Sequence, residues 1–275
     1  MENFPVPQVI GNSRKLAYPV PDVGRPAGVE RILAHRGGAG LRPENTLSAF
    51  RQAWGMGIRV LETDVHVTSD GVAICFHDDT LDRVTDLTGR PEDYTWAELS
   101  RTSVHGPNGT SDVVLNMTDL IEEFPEAKLV IDVKYPDGIH ALARAINATG
   151  SAGRICVTHA WDSWLEGLRE MTSPELQRCL GWETMTSLYS AARAGHRPDP
   201  ALRVANWVHV GWDVAPFGLM SDHEFAQRLV DMAHDLGLGV RVWTINDADR
   251  MARLWNQGVD AVFTDYPDVA LGVLG

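Results

Sequence analysis

The chain has 275 residues, of which 44% are hydrophobic and 22% charged, so it can bury a sizeable core and is not expected to be disordered. Its formal net charge of -13 repels polyanions, which argues against broad binding to nucleic acid or to anionic membrane surfaces, although a small anionic substrate can still bind where positive charge is concentrated. The N-terminal segment lacks the apolar stretch of a secretory signal, and no segment is apolar enough to span a bilayer, which predicts a cytoplasmic protein without a membrane anchor.

Residues 1–28 are rich in proline and glycine and show no clear period, which predicts an irregular N-terminal arm. Short apolar runs follow, and each suits a strand that is buried on both faces. They cover residues 31–34, 60–67, 129–133, 154–157, 176–180, 207–210, 239–243 and 261–263.

Amphipathic stretches separate most of these runs, for example at residues 46–56 and 224–235. Eight strands alternating with helices predict a single α/β domain over residues 1–275, built as a TIM (β/α)8 barrel. An open doubly wound sheet is the alternative, because the number of strands does not show whether a sheet closes.

The alternation breaks after the second strand. The turn at 69–71 and the apolar run at 72–76 predict a hairpin, and residues 78–116 contain turn-rich, polar sequence. We interpret this segment as a small insertion above the barrel mouth, without a core of its own. In such barrels the loops that follow the strands carry the active site.

Cys75, Cys156 and Cys179 are odd in number, far apart and surrounded by apolar residues. This pattern predicts buried free thiols rather than disulfides or a cysteine-based zinc site.

Chemically active residues concentrate at the ends of the first strands. His35 and Arg36 follow the first strand directly, and the next two residues are glycines that let the backbone approach a ligand. Glu62 and Asp64 lie two apart on the second strand, so both carboxylates point to the same face. A hard divalent ion explains such a pair better than two solvated carboxylates do, because apolar residues surround them.

Asp132 and Lys134 repeat this spacing on the third strand, where Asp132 can complete an ion site and Lys134 can donate to a phosphate oxygen. A buried ion pair between the two is the alternative. His77 ends the hairpin and returns a second imidazole to the mouth, so that His35 and His77 can serve as an acid and a base. His66 lies farther along the second strand, and we expect it to be a loop or packing residue.

These residues fall within a series of ordered motifs that closely resembles the glycerophosphodiester phosphodiesterase family over residues 30–270. The motifs are His-Arg-Gly at 35–37, Pro-Glu-Asn-Thr at 43–46, Glu-Thr-Asp-Val at 62–65, Thr-Ser-Asp-Gly at 68–71, His-Asp at 77–78, Leu-Asp-Arg-Val-Thr at 81–85, Val-Trp-Thr-Ile-Asn at 242–246 and Gly-Val-Asp-Ala-Val-Phe-Thr-Asp-Tyr-Pro at 258–267.

The resemblance implies a TIM barrel that hydrolyses small glycerophosphodiesters to glycerol 3-phosphate and an alcohol, with one divalent ion, Mg²⁺ or Ca²⁺. By motif position, it implies that His35 and His77 are the catalytic pair and that Arg36 and Lys134 contact the phosphate. It also implies that Glu62, Asp64 and Asp132 are metal ligands, that Trp243 lines the substrate pocket and that Glu44 supports Arg36. Packing in the barrel core is the alternative for Trp243, and a place at the start of a helix is the alternative for Glu44.

The chain departs from the family pattern in two places. Asp132 stands where a glutamate is usual, which shortens that ligand by one methylene. Residues 160–218 carry no recognisable family motif but hold five tryptophans, for which we expect core packing rather than a pocket for the alcohol. They are Trp161, Trp164, Trp182, Trp207 and Trp212.

Two further functions stay open at this point. A phospholipase D-like enzyme that acts on lysophospholipids or sphingomyelin would use the same barrel, although the acidic charge argues against lipid surfaces. A catalytically silent barrel used for binding is the other, and the presence of both histidines and all three carboxylates argues against it.

Overall fold

The computed structural model describes residues 24–159, 161–212 and 222–275. The predicted N-terminal arm therefore lies outside the described residues, except for its last five positions. Within the described ranges, no helix combines the length and the apolar character needed to cross a membrane.

The strands follow the predicted runs closely. In chain order they are β1 (Ile32–Ala34), β2 (Val60–Val67), β3 (Ala73–Cys75), β4 (Ser103–His105), β5 (Ser111–Val113), β6 (Leu115–Asn116), β7 (Lys128–Val133), β8 (Ile155–Thr158), β9 (Gln177–Arg178), β10 (Trp207–Gly211), β11 (Gly239–Trp243) and β12 (Ala261–Thr264).

The helices lie between these strands. They are α1 (Leu47–Gly55), α2 (Trp96–Leu99), α3 (Met117–Glu123), α4 (Pro136–Thr149), α5 (Asp162–Met171), α6 (Trp182–Ala194), α7 (His223–Asp235), α8 (Ala248–Asn256) and α9 (Pro267–Leu274).

Eight of the strands form one parallel sheet in the order β10, β11, β12, β1, β2, β7, β8, β9. Its two ends meet where Cys179 forms a parallel bridge with Trp207. Beside that bridge, the amide of Leu180 donates a 2.8 Å hydrogen bond to the carbonyl of Trp207. The sheet thus closes as a nearly complete barrel, which confirms the predicted TIM fold and excludes the open sheet.

The helices cover the barrel through their apolar faces. Helix α7 begins at a cap in which the carboxylate of Asp222 accepts the amide hydrogen of Phe225 at 3.2 Å. Phe225 and Leu229 are fully buried on its inner face. Truncating a buried phenylalanine of this kind costs about 3–5 kcal/mol of unfolding free energy, so each helix face contributes strongly to the closed barrel.

The insertion after β2 is more ordered than the sequence indicated. It contains α2 and the β4–β5 hairpin, and β6 pairs with β3. A small apolar cluster lies beneath it, so our expectation of a segment without a core was wrong. Its apolar residues are unevenly spaced and therefore show no period. The cluster consists of Ile74, Phe76, Leu81, Val84, Leu99, Val104 and Val114.

Two contacts seat the insertion on the barrel. The carboxylate of Asp112 accepts the amide hydrogen of Ser48 at 2.8 Å, at the start of α1. Gly106 lies so close to Pro43 that a Cβ atom would stand 2.5 Å from the Pro43 nitrogen. A side chain at position 106 would therefore push the insertion away from the loop that follows β1.

The cysteines and His66 lie where the sequence predicted. All three cysteines are buried and free. His66 is 1% exposed and packs between the rings of Phe76 and Tyr135, at centroid distances of 6.1 and 5.2 Å. Burial lowers the pKa of His66, as expected for a neutral packing residue.

Candidate active site

A cavity of about 470 Å³ opens at the carboxyl ends of the barrel strands. Eight of the nine predicted site residues line it, and the ninth, Glu44, lies behind Arg36. The eight are His35, Arg36, Glu62, Asp64, His77, Asp132, Lys134 and Trp243.

The chain turns sharply where β1 ends. Arg36, Gly37 and Gly38 all have positive φ angles, of 50°, 81° and 94°. A Cβ atom on Gly37 would stand 2.8 Å from the Cβ of Ala49. The turn directs the amide of Arg36 to Glu62, whose Oε2 accepts its hydrogen at 2.8 Å. Because a non-glycine residue rarely adopts this conformation, the position of Arg36 indicates functional constraint.

His35 is held by a carboxylate that directly follows the last barrel strand. Its Nδ1 lies 2.6 Å from Oδ1 of Asp265, and the side-chain amide of Asn246 donates to the other oxygen of Asp265 at 2.8 Å. Burial alone would lower the pKa of His35, but the carboxylates of Glu62 and Asp265 outweigh it and raise that pKa. With Nδ1 engaged, Nε2 is the nitrogen left to exchange a proton with a ligand in the cavity.

His77 has an equivalent partner, its own neighbour in the chain. The Nδ1 atom of His77 lies 2.6 Å from Oδ1 of Asp78. The two imidazoles thus line the cavity from different segments, one from the end of β1 and one from the hairpin after β2, and each lies against a carboxylate. Such pairs fix the ring orientation and the tautomer that a general acid or base requires.

Glu44 links Arg36 to the insertion. Nη1 of Arg36 donates to Oε1 of Glu44 at 3.0 Å, and Nη1 of Arg83 donates to Oε2 of Glu44 at 2.8 Å. The predicted contact between Glu44 and Arg36 is therefore present. Burial would raise the pKa of Glu44, but the two arginines lower it, which keeps the carboxylate ionised.

Three carboxylates and Lys134 form the polar floor of the cavity. The register pairs Asp64 on β2 with Asp132 on β7. The ammonium of Lys134 lies between these two carboxylates, 2.8 Å from Oδ1 of Asp64 and 2.6 Å from Oδ2 of Asp132. The ion pair that we considered as the alternative for Asp132 is therefore formed.

Glu62 and Asp64 respond oppositely to burial. Burial and the nearby charge of Asp64 raise the pKa of Glu62 to about 7. The same burial would raise the pKa of Asp64, but Lys134 and Arg36 lower it to about 2. Burial thus dominates at Glu62, whereas the two cations dominate at Asp64.

The chemistry of these donors suits a hard divalent ion, since Glu62, Asp64 and Asp132 offer oxygen atoms alone. Their arrangement is less complete, because among the described residues no three His, Cys, Asp or Glu side chains are grouped as a metal site. Lys134 takes part of the space between two of the three donors. The donor set fits, and an ion would share these carboxylates with Lys134.

The other half of the cavity wall is uncharged in the described residues. Trp243 is 39% exposed and lines it, and Trp182, at the start of α6, is 53% exposed and lines it too. Trp161 is 51% exposed, so core packing was the wrong expectation for Trp161 and Trp182, although it holds for Trp207 at 4%. Trp182 is the first residue of a helix next to the cavity, and the amino-acid composition of the segment does not reveal such a position.

Four polar residues of the site carried no predicted role: Asp78, Arg83, Asn246 and Asp265. All four stand within the family motifs quoted above. Two of them could have been found from their place in the chain, because Asp78 adjoins His77 and Asp265 directly follows β12. The pairing of Asp265 with His35 depends on β12 lying next to β1, and that contact closes only in the folded barrel.

The model of the glycerophosphoryl diester phosphodiesterase family matches residues 35–269, which is most of the chain. The chain belongs to this family. The predicted resemblance is thereby confirmed, and so is the predicted class of enzyme, a phosphoric diester hydrolase.

Two bacterial relatives are similar over most of their length, and a human relative is similar over a shorter segment. A probable glycerophosphodiester phosphodiesterase 2 of Mycobacterium tuberculosis is 27% identical over 249 residues, covering 88% of this chain and 89% of the relative. A glycerophosphodiester phosphodiesterase of Bacillus altitudinis is 27% identical over 254 residues, covering 88% and 97%. Human glycerophosphodiester phosphodiesterase 1 is 48% identical over 69 residues, covering 25% of this chain and 21% of the relative.

Solved structures of the family share the fold. The glycerophosphoryl diester phosphodiesterase domain of a Mycobacterium tuberculosis protein superposes with a TM-score of 0.73 at 21% identity, covering 88% of this chain and 98% of that domain. An Oleispira antarctica phosphodiesterase, solved in complex with the product sn-glycerol-3-phosphate, superposes with a TM-score of 0.66 at 23% identity, covering 91% and 96%.

Proposed function

We propose that the protein hydrolyses glycerophosphodiesters to glycerol 3-phosphate and an alcohol by acid-base catalysis with the help of one divalent ion, Mg²⁺ or Ca²⁺. The observation that carries this proposal is the cavity itself, which collects His35, His77, two cations and three carboxylates at the carboxyl ends of the strands. A small molecule with one phosphodiester group fits a cavity of about 470 Å³.

The phosphate of the substrate would bind to Arg36 and Lys134. Both cations line the cavity, and both are already held by carboxylates, so little side-chain entropy is lost when a phosphate arrives. As the reaction proceeds, charge builds up on the phosphate oxygens, and these fixed donors stabilise it.

His35 and His77 would transfer the protons. One would take a proton from the attacking hydroxyl group, and the other would give a proton to the alcohol that leaves. Asp265 and Asp78 hold the Nδ1 atoms, so that the Nε2 atoms carry out both transfers. The attacking hydroxyl is either water or the 2-hydroxyl of the glycerol, and the second route passes through a cyclic phosphate.

Glu62, Asp64 and Asp132 would hold the divalent ion. When bound, the ion supplies Lewis-acid stabilisation of the negatively charged phosphate. Three carboxylates against Arg36 and Lys134 give this part of the cavity a net negative charge, and a divalent ion reverses it. The local field can then attract a phosphodiester although the whole chain has a net charge of -13.

A hydrolysis panel tests the proposal. It contains glycerophosphocholine, glycerophosphoethanolamine, glycerophosphoinositol, lysophosphatidylcholine and sphingomyelin, each with and without divalent ions. We expect turnover of the first three that is lost in EDTA and restored by Mg²⁺ or Ca²⁺. Full turnover in EDTA by metal-stripped protein contradicts the role of the ion, and turnover of the two lipids alone favours the phospholipase D-like alternative. Detection of a cyclic phosphate identifies the 2-hydroxyl as the nucleophile.

A further inference from the structure

Arg83 in the insertion joins the two halves of the candidate site. Its guanidinium donates to both oxygens of Glu44, from Nη1 at 2.8 Å and from Nη2 at 2.6 Å. It also donates to both oxygens of Asp78, through Nε and, at 3.0 Å, through Nη2. One side chain is thus shared by two carboxylates that lie 34 positions apart in the chain.

Each of these carboxylates holds a residue of the site. Glu44 accepts a hydrogen bond from Arg36 at 3.0 Å, and Asp78 lies 2.6 Å from Nδ1 of His77. The result is a continuous chain of contacts from Arg36 through Glu44, Arg83 and Asp78 to His77. It connects the loop after β1 with the hairpin after β2.

Arg83 itself stays behind the cavity. It is absent from the cavity wall, and its side chain is 47% exposed. An effect of Arg83 on the reaction is therefore expected to pass through Glu44 and Asp78, to which its donors are directed. An arginine suits this place because its planar fork of donors can satisfy two carboxylates at once, whereas a lysine presents a single point of charge.

We propose that Arg83 is a positioning residue, which fixes Arg36 and His77 relative to each other by bridging Glu44 and Asp78. This inference rests on the proposed function, in which Arg36 binds the phosphate and His77 transfers a proton. It gives the insertion a task in the reaction, because α2 and the β4–β5 hairpin then keep the loop of Arg83 at the required distance from the barrel.

The test begins with Arg83→Met, which keeps much of the side-chain volume and removes all donors. We expect kcat to fall about 10–100-fold, because a displacement near 1 Å at a catalytic group costs that much, and KM to rise as Arg36 loosens. Arg90→Met is the matched control. Arg90 lies in the same insertion, is 52% exposed and pairs with Glu92 at 2.9 Å. We expect it to leave kcat and KM unchanged.

A double-mutant cycle separates positioning from mere support of the insertion. In a His77→Ala background, Arg83→Met should lower kcat several-fold less than in the wild type, because one of the two residues through which it acts is gone, while its effect through Arg36 on kcat and KM persists. Equal loss of kcat in both backgrounds overturns the proposal, and so does an equal loss in Arg90→Met. If Arg83→Met melts early, Arg83→Lys takes its place in the same cycle. A wild-type kcat in His77→Ala contradicts the proposed function itself and is thereby distinguished from a failure of this inference.

Discussion

The ion pair of Lys134 with Asp64 and Asp132 leads to a prediction about stability. Lys134→Met removes the cation from between two carboxylates but keeps most of the side-chain volume. Asp64 is 3% exposed at its side chain, and Asp132 is 28% exposed. Removing one partner of a buried ion pair costs about 3–5 kcal/mol of unfolding free energy. Asp64 keeps Nε of Arg36 at 3.5 Å and a hydrogen bond from Asn45 at 3.0 Å, so we expect a loss near the lower limit, about 3 kcal/mol.

Asp132→Asn should cost less, although it breaks the same contact. Lys134 keeps Asp64 as a partner at 2.8 Å, so no buried charge is left alone. Burial and the nearby Asp64 raise the pKa of Asp132, so the substitution also relieves repulsion between two carboxylates. One charge-assisted hydrogen bond contributes about 1.5–3 kcal/mol, and after the relief we expect a loss of about 1–2 kcal/mol.

A divalent ion should reverse this order. In Lys134→Met the ion can replace the missing cation, and at a concentration 100 times its dissociation constant it adds about 2.7 kcal/mol of unfolding free energy. In Asp132→Asn the ion has lost a ligand and should add less.

Chemical denaturation of the wild type and both variants, in EDTA and in Mg²⁺ or Ca²⁺, measures these differences. A larger loss in Asp132→Asn than in Lys134→Met without ions would refute the reasoning. So would the absence of any stabilisation of Lys134→Met by either ion, because the ion site would then not include these carboxylates.

Three further predictions concern the histidines. His35→Ala and His77→Ala should each lower kcat about 10²–10⁴-fold and the double variant far less than the product, which steady-state kinetics on the folded proteins will check. Asp265→Asn should move to lower pH the limb of the pH–rate profile that reports His35, which is the acid limb if His35 is the base and the alkaline limb if it is the acid, because the Asp265 carboxylate helps to raise the pKa of His35. If neither limb moves, Asp265 does not act on His35 in this way. Burial and the nearby charge of Lys134 lower the pKa of His159 to about 4, so protonation favours the unfolded chain as the pH falls from about 6.5 to 4. Between these pH values the unfolding free energy of His159→Asn should therefore fall by about 1–2 kcal/mol less than that of the wild type, after allowance for the partial exposure of His159. Thermal melts at pH 7 and pH 4.5 measure this, and an equal loss of stability in both proteins would contradict it.

The parts of the fold that follow from local pattern were predictable. Strand β2 was predicted with its observed bounds because all eight of its residues are buried, so the apolar run ends where the strand ends. Strand β9 was predicted as five residues and has two, because Leu180 leaves the strand register to bond with Trp207 across the closing seam. Closure is a property of the whole sheet, and a local run of residues does not indicate where its ends meet.

The site was predictable to the extent that each residue acts at its own strand end. His35, Glu62, Asp64 and Lys134 met in one cavity because parallel strands carry their carboxyl ends to the same mouth. The contacts between these residues and their partners were not predictable in the same way. Arg83 reaches Glu44 across the gap between the insertion and the barrel, and the distance depends on how the insertion packs.

The small apolar cluster under the insertion has a consequence for how the molecule loses activity. That cluster is separate from the barrel core, so the insertion can open locally with a free energy well below that of global unfolding. Each opening would withdraw Arg83 from Glu44 while the eight strands stay paired. Amide hydrogens of the β4–β5 hairpin would then exchange faster than those of β2 and β7. On warming, the catalytic rate would decrease at temperatures below the melting temperature of the barrel.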